Sequence, residues 1–232
     1  MNHLPWLLVP FAYLVASISF AWLVARWHGI NLREHGSGNL GATNVGRVLG
    51  GRWFALVFIL DCGKGWAPVA MMIWLISNAT DPHPALLQWG PMSTGLAAVI
   101  GHIFPCYHGL RGGKAVATSL GVIIALSPIV AFIAFIAWLL AWAIGRLSGL
   151  RASMAVGPAS VVAAIIAVSF QWWWLGLAGP QRGATLLISL AGALILWRHR
   201  SNLGDLLGRR QCDTEQHRNG GAEERGRGAP AD

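Results

Sequence analysis

The chain has 232 residues, of which 55% are hydrophobic and only 11% are charged, and it contains 13 Trp. This composition leaves too much apolar surface for a soluble domain, so it predicts a polytopic membrane protein. The net charge of +8 does not indicate a nucleic-acid partner, because the Lys and Arg residues separate apolar segments instead of forming one basic face. Cys62, Cys106 and Cys212 form no CxxC pair, which argues against a disulfide framework and a zinc site.

Seven apolar segments predict an all-α membrane protein, a polytopic bundle of seven transmembrane helices. Segment 4–25 has the roughly 20 residues that cross a bilayer. Arg26 follows it, which places the N-terminus outside and the C-terminus in the cytoplasm. In this topology Arg182 is external, Lys64 lies within a span, and the other 15 of the 17 Lys and Arg residues are internal. The later spans are 53–77, 92–104, 115–126, 128–145, 154–170 and 183–197.

The rest of the chain is predicted to be connections and a tail. Residues 78–91 contain proline and no Lys or Arg, which is typical of an external loop. Residues 209–232 are rich in Gly, Glu and Arg and predict a disordered cytoplasmic tail after a single transmembrane domain, 1–208.

A polar, glycine-rich stretch, residues 34–47, lies between the first two spans and is named the glycine segment below. Glycine allows a backbone to approach a ligand closely, and consecutive N–H groups in such a loop form a nest for an anion. Arg47 adds a planar charged fork that suits phosphate. The segment therefore predicts a phosphate site, with an ordinary interhelical turn as the alternative. The candidate ligands are Ser37, Gly38, Asn39, Thr43, Asn44 and Arg47.

Two charged residues, Asp61 and Lys64, fall inside the second predicted span. A charge at the centre of a membrane costs roughly 2.5–3.5 kcal/mol on insertion scales. The spacing i, i+3 puts both side chains on one helix face, where they can pair. The pair is predicted either to support the site inside the bundle or to pack helices together.

A second glycine-rich stretch, residues 101–118, leads from the third span into the fourth. Lys114 supplies a charge next to Gly112 and Gly113, and the start of the following helix offers N–H groups to an anion. His102 is a further candidate. A basic cytoplasmic loop without a site is the alternative. Both glycine-rich stretches lie on the predicted cytoplasmic side, where an anionic substrate would meet apolar walls suited to an acyl chain.

Four motifs resemble the PlsY family of bacterial acyl-phosphate:glycerol-3-phosphate acyltransferases. They are GSGNLGATNVGRVLG (36–50), LDxxKG (60–65), GHIFPxxxxxRGGKAVAT (101–118) and RHRSN (198–202). They occur in the family's order, and the resemblance covers residues 8 to about 208. It implies transfer of a fatty acyl group from acyl phosphate to the 1-hydroxyl of glycerol 3-phosphate, giving lysophosphatidic acid. It makes residues 1–208 a seven-helix acyltransferase domain in the bacterial inner membrane, with its active site at the cytoplasmic face.

The resemblance also assigns roles by position. Arg47, Lys114, His199 and Asn202 would be catalytic, with His199 and Asn202 holding glycerol 3-phosphate. His199 could act as general base because imidazole titrates near neutrality, but the family implies that the substrate's own phosphate takes the proton. We expect no cofactor and no metal, because Asp61 is the one carboxylate within a span. A monomer is expected.

Some positions depart from the family's pattern. The first span has Ser17-Ile-Ser19 where the family has Ser-Ile-Pro. The third loop has Gly149 and Ala152 in place of serines, and Ser153 would replace one of them. These departures leave open an acyl-phosphate enzyme with another acceptor. A lipid or anion transporter is the alternative from another class, although no internal repeat supports it.

Overall fold

The computed structural model describes residues 4–148, 152–174, 186–195 and 197–198. Within these ranges the chain is helical and has no β-strand, so the all-α prediction is confirmed for this part of the protein. Two short 3-10 helices, Leu4–Leu7 and Cys106–His108, accompany the α-helices. The α-helices are α1 (Leu8–Ala16), α2 (Phe20–Trp27), α3 (Ala42–Leu49), α4 (Gly51–Ser77), α5 (Pro84–Ile103), α6 (Val116–Leu126), α7 (Pro128–Leu147), α8 (Ala152–Trp174) and α9 (Leu186–Ile195).

Three helical stretches in the described ranges are long and apolar enough to cross a membrane: Leu4–Trp27, Gly51–Ser77 and Pro128–Leu147. Their outer faces carry large exposed apolar side chains. Ile59 and Trp74 on α4 are 66% and 62% exposed, and Leu140 on α7 is 59% exposed. Continuous apolar faces of this kind match hydrocarbon instead of water, which agrees with the membrane protein predicted from composition.

The first predicted span, 4–25, is not one continuous helix, because residues 17–19 separate α1 from α2. The Ser19 hydroxyl accepts a hydrogen bond from the Trp22 N–H at 3.2 Å. The carbonyl of Ile18 thereby loses its usual helical partner, and it accepts instead from Lys64 Nζ at 2.8 Å. A serine side chain that competes for backbone groups accounts for the break, which apolar length alone does not predict.

The prediction of an external loop over 78–91 is wrong from residue 84 onward, because α5 begins at Pro84 and not near residue 92. Pro84 occupies the first turn, where proline costs no hydrogen bond. The His83 ring caps this turn by accepting from the Ala85 N–H at 3.1 Å. Pro91 lies inside the helix, and membrane helices tolerate an internal proline. Elsewhere, α4, α6 and α7 match their predicted spans to within a few residues.

Helix α4 is central, and it contacts α1, α2, α3, α5 and α6. It approaches α6 closely at Gly65 and Gly121, because these residues have no side chain. A Cβ at either position would clash with the backbone of the facing helix. Leu40 and Val45 are buried together with residues of α2 and α4 and so anchor the glycine segment to the bundle. As a result, the start of α4, the end of α5 and the start of α6 meet beside the glycine segment.

Candidate functional site

A cavity of about 500 Å³ lies where the glycine segment meets α4, α5 and α6. Asp61 is the one carboxylate among the described residues that line it, and Lys64 pairs with this carboxylate at 2.9 Å. The remaining charged groups are all basic, so the cavity favours a ligand with several negative charges. These basic residues are Arg33, Arg47, Arg111, Lys114 and Arg198.

Asn44 organises the glycine segment from within, and its side chain is only 1% exposed. Its Oδ1 accepts from the Ser37 N–H at 2.8 Å. Its Nδ2 donates to the carbonyls of Leu32 and His35 at 3.3 and 3.0 Å. Both ends of the amide therefore hold backbone groups of the segment, so Asn44 shapes the site through the loop that it folds.

The N-terminus of α3 borders the cavity at Gly41, Ala42 and Thr43. The N–H groups of Ala42 and Thr43 have no acceptor in the part of the chain that the structure describes. N–H groups at a helix N-terminus attract anions. The turn before them requires glycine at position 38, where φ is +68° and an added Cβ would lie 2.9 Å from the carbonyl oxygen of Arg33. The segment thus presents backbone donors to the cavity, as its composition predicts.

The connection between α5 and α6, residues 104–115, is named the lysine loop below. It folds back on α5: the Gly112 N–H donates to the Ile103 carbonyl at 3.0 Å, and the Gly113 N–H donates to the His102 carbonyl at 3.2 Å. A methyl group at Gly113 would clash with His102 Nε2 and lie 2.9 Å from the Leu40 carbonyl oxygen. The two glycines therefore allow close packing, while their N–H groups are used inside the protein.

Lys114 ends this loop and lines the cavity. The next residue, Ala115, is buried and has a left-handed backbone with φ +57°. This conformation costs a residue other than glycine about 1–2 kcal/mol, and surrounding packing must hold it in place. The tight turn passes the chain from Lys114 directly into the first turn of α6, so the lysine stands at a helix N-terminus as predicted.

Asp61, Lys64 and His102 form a buried polar group at the wall of the cavity. Lys64 holds both Asp61 and the carbonyl of Ile18 in the break between α1 and α2. His102 Nδ1 lies 3.1 Å from the Thr118 hydroxyl and 3.8 Å from Asp61 Oδ1. Asp61 and His102 line the cavity, whereas Lys64 does not. The Asp61–Lys64 pair therefore holds α4 against the break between α1 and α2, and Asp61 also lines the cavity.

A second cavity, of about 60 Å³, adjoins the first. Phe58, Val116 and Trp138 line both cavities. The Trp138 indole donates to the Ser160 hydroxyl at 3.3 Å, which satisfies the polar atom of each side chain. A basic compartment thus borders an apolar one, an arrangement that fits a ligand with an anionic head and a hydrocarbon chain. The other apolar residues lining the second cavity are Leu120, Ile123, Ala134, Phe135, Ala163, Ala167 and Ile195.

Most residues selected from the sequence line the basic cavity: Ser37, Gly38, Asn39, Thr43, Asn44, Arg47, Asp61, His102, Gly112 and Lys114. Gly113 packs behind this lining. Ser153 lies in the first turn of α8, while His199, Asn202 and the tail 209–232 fall outside the described residues. Sequence reasoning missed Arg33, although it stands just before the glycine segment, and it gave no role to Arg111 inside the second motif. No group of three potential metal ligands occurs in the described ranges.

Comparisons with known sequences identify relatives along nearly the whole chain. The sequence model of a family described as glycerol-3-phosphate acyltransferase matches residues 6–209. The chain is 42% identical over 200 residues to the glycerol-3-phosphate acyltransferase of Aquifex aeolicus, covering 86% of this chain and 94% of the relative. It is 41% identical over 207 residues to that of Pseudomonas paraeruginosa, covering 89% and 97%.

Two crystal structures of PlsY, an integral membrane glycerol 3-phosphate acyltransferase, have similar folds. The glycerol 3-phosphate form gives a TM-score of 0.75 at 39% identity, and the lysophosphatidic acid form gives 0.72 at 37%. Each comparison covers 89% of this chain and 93% of the other. These matches confirm the resemblance carried by the four motifs: the chain belongs to the glycerol-3-phosphate acyltransferase family of integral membrane proteins, the family of PlsY.

Proposed function

We propose that this protein transfers a fatty acyl group from acyl phosphate to the sn-1 hydroxyl of glycerol 3-phosphate. The products are lysophosphatidic acid, a phospholipid precursor, and phosphate. The observation that carries the proposal is the cavity with five basic lining side chains. Each substrate carries a phosphate group, and clustered Arg and Lys side chains are what two neighbouring phosphates require. The names of the relatives and the glycerol 3-phosphate form of PlsY support the acceptor.

The apolar cavity beside the basic one supports a donor with a hydrocarbon chain. Phe58, Val116 and Trp138 stand at the junction of the two cavities. A donor whose phosphate sits near Lys114 would extend its chain past these residues. Burying that chain removes apolar surface from water and aligns the reacting carbonyl.

The chemistry needs no covalent enzyme intermediate, because acyl phosphate is already activated. The acceptor hydroxyl attacks the donor carbonyl carbon, the bond from that carbon to the phosphate oxygen breaks, and the hydroxyl proton leaves with the phosphate. Lys114, Arg47 and the N–H groups of Ala42 and Thr43 would stabilise the developing negative charge. Ser37, Gly38, Asn39 and Thr43 would hold the phosphate, and placing both anions in one cavity brings the reacting atoms together.

The acceptor site would be completed by the segment that follows Arg198. This arginine is the last described residue, and it lines the cavity. His199 and Asn202 come one and four residues after it. We assign them to orienting the glycerol moiety, with Ser153 as a further support near the phosphate. The donor's own phosphate then takes the proton, so His199 is not required as a general base.

In the proposed arrangement the protein spans the bacterial inner membrane seven times and acts as a monomer. Its N-terminus lies outside and its C-terminus lies in the cytoplasm. The distribution of Lys and Arg along the sequence supports this orientation. The basic cavity lies beside the glycine segment and the lysine loop, both on the predicted cytoplasmic side. Soluble glycerol 3-phosphate would therefore reach the site from the cytoplasm.

A transporter is the second candidate, because transporters use broken helices and the structure has one between α1 and α2. Lys64 already fills that break by donating to the Ile18 carbonyl. The basic lining is also concentrated at one end of α4, α5 and α6, whereas a transport site lies near the bilayer midplane. Both observations favour the acyltransferase, as does the family.

The variant Lys114→Ala tests the proposal. We expect acyl transfer to fall at least about a hundredfold, because an electrostatic stabiliser of the transition state is removed, while the protein stays folded in detergent. Arg52→Ala is the matched control: Arg52 lies over the Trp53 ring at 5.2 Å and does not line the cavity. Unchanged turnover in Lys114→Ala would refute the catalytic role proposed for the basic cavity.

A further inference from the structure

Two arginines, far from the lysine loop in sequence, donate to its backbone carbonyls. Arg33 Nη2 donates to the carbonyls of His108 and Arg111 at 2.9 and 3.2 Å. Arg198 Nη2 donates to the carbonyls of Gly112 and Gly113, two consecutive residues, at 3.0 and 3.2 Å. Arg33 precedes its partners by 75 and 78 residues, and Arg198 follows its own by 86 and 85.

The four carbonyls belong to the lysine loop, and two of the residues that carry them, Arg111 and Gly112, line the basic cavity. The N–H groups of Gly112 and Gly113 donate to the end of α5, and the Arg111 N–H donates to the His108 carbonyl at 3.4 Å. The carbonyls of Arg111, Gly112 and Gly113 accept from the two arginines, which supplies the donors that such backbone oxygens need inside a protein. The His108 carbonyl accepts from Arg33 in addition to the Arg111 N–H. Carbonyl oxygens carry partial negative charge, which opposes an anion in the cavity. A guanidinium that donates to them satisfies the oxygens and also adds positive charge to the same wall.

Arg33 also belongs to the stretch that packs against the glycine segment. Its carbonyl oxygen lies 2.9 Å from the position that a Cβ of Gly38 would take, and its N–H donates to Asn31 Oδ1 at 3.3 Å. The two glycine-rich stretches touch directly as well, since the Leu40 carbonyl oxygen lies 2.9 Å from the Cβ position of Gly113. Arg33 therefore ties the lysine loop to the stretch that carries the candidate phosphate ligands.

We propose that Arg33 and Arg198 are positioning residues that clamp the lysine loop and fix Lys114 relative to the glycine segment. This inference rests on the proposed function, because it assigns their effect to the same reaction. Arg33 satisfies two carbonyls through one nitrogen of a planar, always charged group. Lysine at this position would keep the charge but offer a flexible stem and a point charge in place of the planar group.

The test compares Arg33→Ala, Arg33→Lys and Arg52→Ala with the unchanged protein in detergent. We expect Arg33→Ala to lower kcat about tenfold to a hundredfold, the scale of a displacement of about 1 Å, while KM for each substrate changes less than about threefold. Amide hydrogen exchange of the ligand-free protein should become faster in residues 104–115 and stay unchanged in α7. Arg33→Lys should recover only part of kcat, and Arg52→Ala should match the unchanged protein.

A double variant adds a second measure. Because both arginines act on one loop, the combined loss of kcat in Arg33→Ala/Arg198→Ala should be smaller than the product of the two single losses. Multiplicative losses would overturn a shared clamp.

Other outcomes also overturn the proposal. A raised KM with unchanged kcat and unchanged exchange would make Arg33 a substrate ligand, and unchanged kcat with unchanged exchange would leave it no positioning role. If Arg33→Ala fails to fold, Arg33→Lys carries the same comparison. An unchanged protein that transfers no acyl group would refute the proposed function, while the exchange of residues 104–115 in the variants would still decide whether the clamp exists.

Discussion

Removing the Asn44 side chain should loosen the glycine segment while leaving the transmembrane core folded. In Asn44→Ala the Ser37 N–H loses its acceptor, and the carbonyls of Leu32 and His35 lose their donor. Each hydrogen bond contributes a net of about 0.5–1.5 kcal/mol, so the three together stabilise the segment by about 3 kcal/mol. Since 1.4 kcal/mol corresponds to a factor of ten, local opening should become about a hundredfold more frequent.

Amide hydrogen exchange of the ligand-free protein measures this opening directly. We expect the Ser37 amide to exchange about a hundredfold faster in Asn44→Ala, together with a loss of acyl transfer. Asn78→Ala is the matched control, because Asn78 donates to a single exposed carbonyl, that of Trp74, at the other end of α4. Exchange of Ser37 at the rate of the unchanged protein would refute the role given to Asn44.

Two further substitutions test the packing behind the site. Lys64→Met leaves Asp61 without its cation and the Ile18 carbonyl without its donor. We therefore expect the free energy of unfolding, measured by thermal denaturation, to fall by about 3–5 kcal/mol. Adding Asp61→Asn should recover part of this loss. An unchanged unfolding temperature in Lys64→Met would contradict this role. Gly113→Ala places a methyl group against His102 Nε2 and should lower turnover at least about tenfold, whereas Gly63→Ala, which points into open space, should not. Equal turnover in Gly113→Ala and Gly63→Ala would contradict the importance of close packing at Gly113 for the site.

The candidate site could be predicted to the level of its segments. Glycine, hydroxyl and basic residues recur in two stretches on the same predicted side of the membrane, and the structure brings both stretches to one cavity. Arg47 and Lys114 line it, as the glycine-rich pattern around each of them predicts. Composition and spacing therefore identify which parts of the chain line the basic cavity.

The division of work among these residues could not be predicted, because it depends on distances between segments far apart in sequence. Asn44 has the same chemistry as a phosphate ligand, yet its amide folds the loop. Gly112 has a backbone N–H that could bind an anion, yet this N–H donates to the Ile103 carbonyl. Arg33 acts on carbonyls 75 and 78 residues away, a relation that no local pattern records.

The helix boundaries show the same limit. Apolar length predicted a continuous first span, but Ser19 supplies a competing acceptor and Lys64 of another helix stabilises the resulting break. Proline content predicted a loop over 78–91, but Pro84 stands where a helix can begin. In both places a tertiary partner or a position within the helix, and not the residue type alone, decides the outcome.

We propose that the basic cavity holds acyl phosphate and glycerol 3-phosphate together so that the acyl group passes from one to the other. The most direct measurement is phosphate release from palmitoyl phosphate by the purified protein in detergent, with and without glycerol 3-phosphate. We expect phosphate release that depends on glycerol 3-phosphate, with lysophosphatidic acid formed in equal amount. Binding of palmitoyl phosphate without release on adding glycerol 3-phosphate would contradict it and point to a different acceptor.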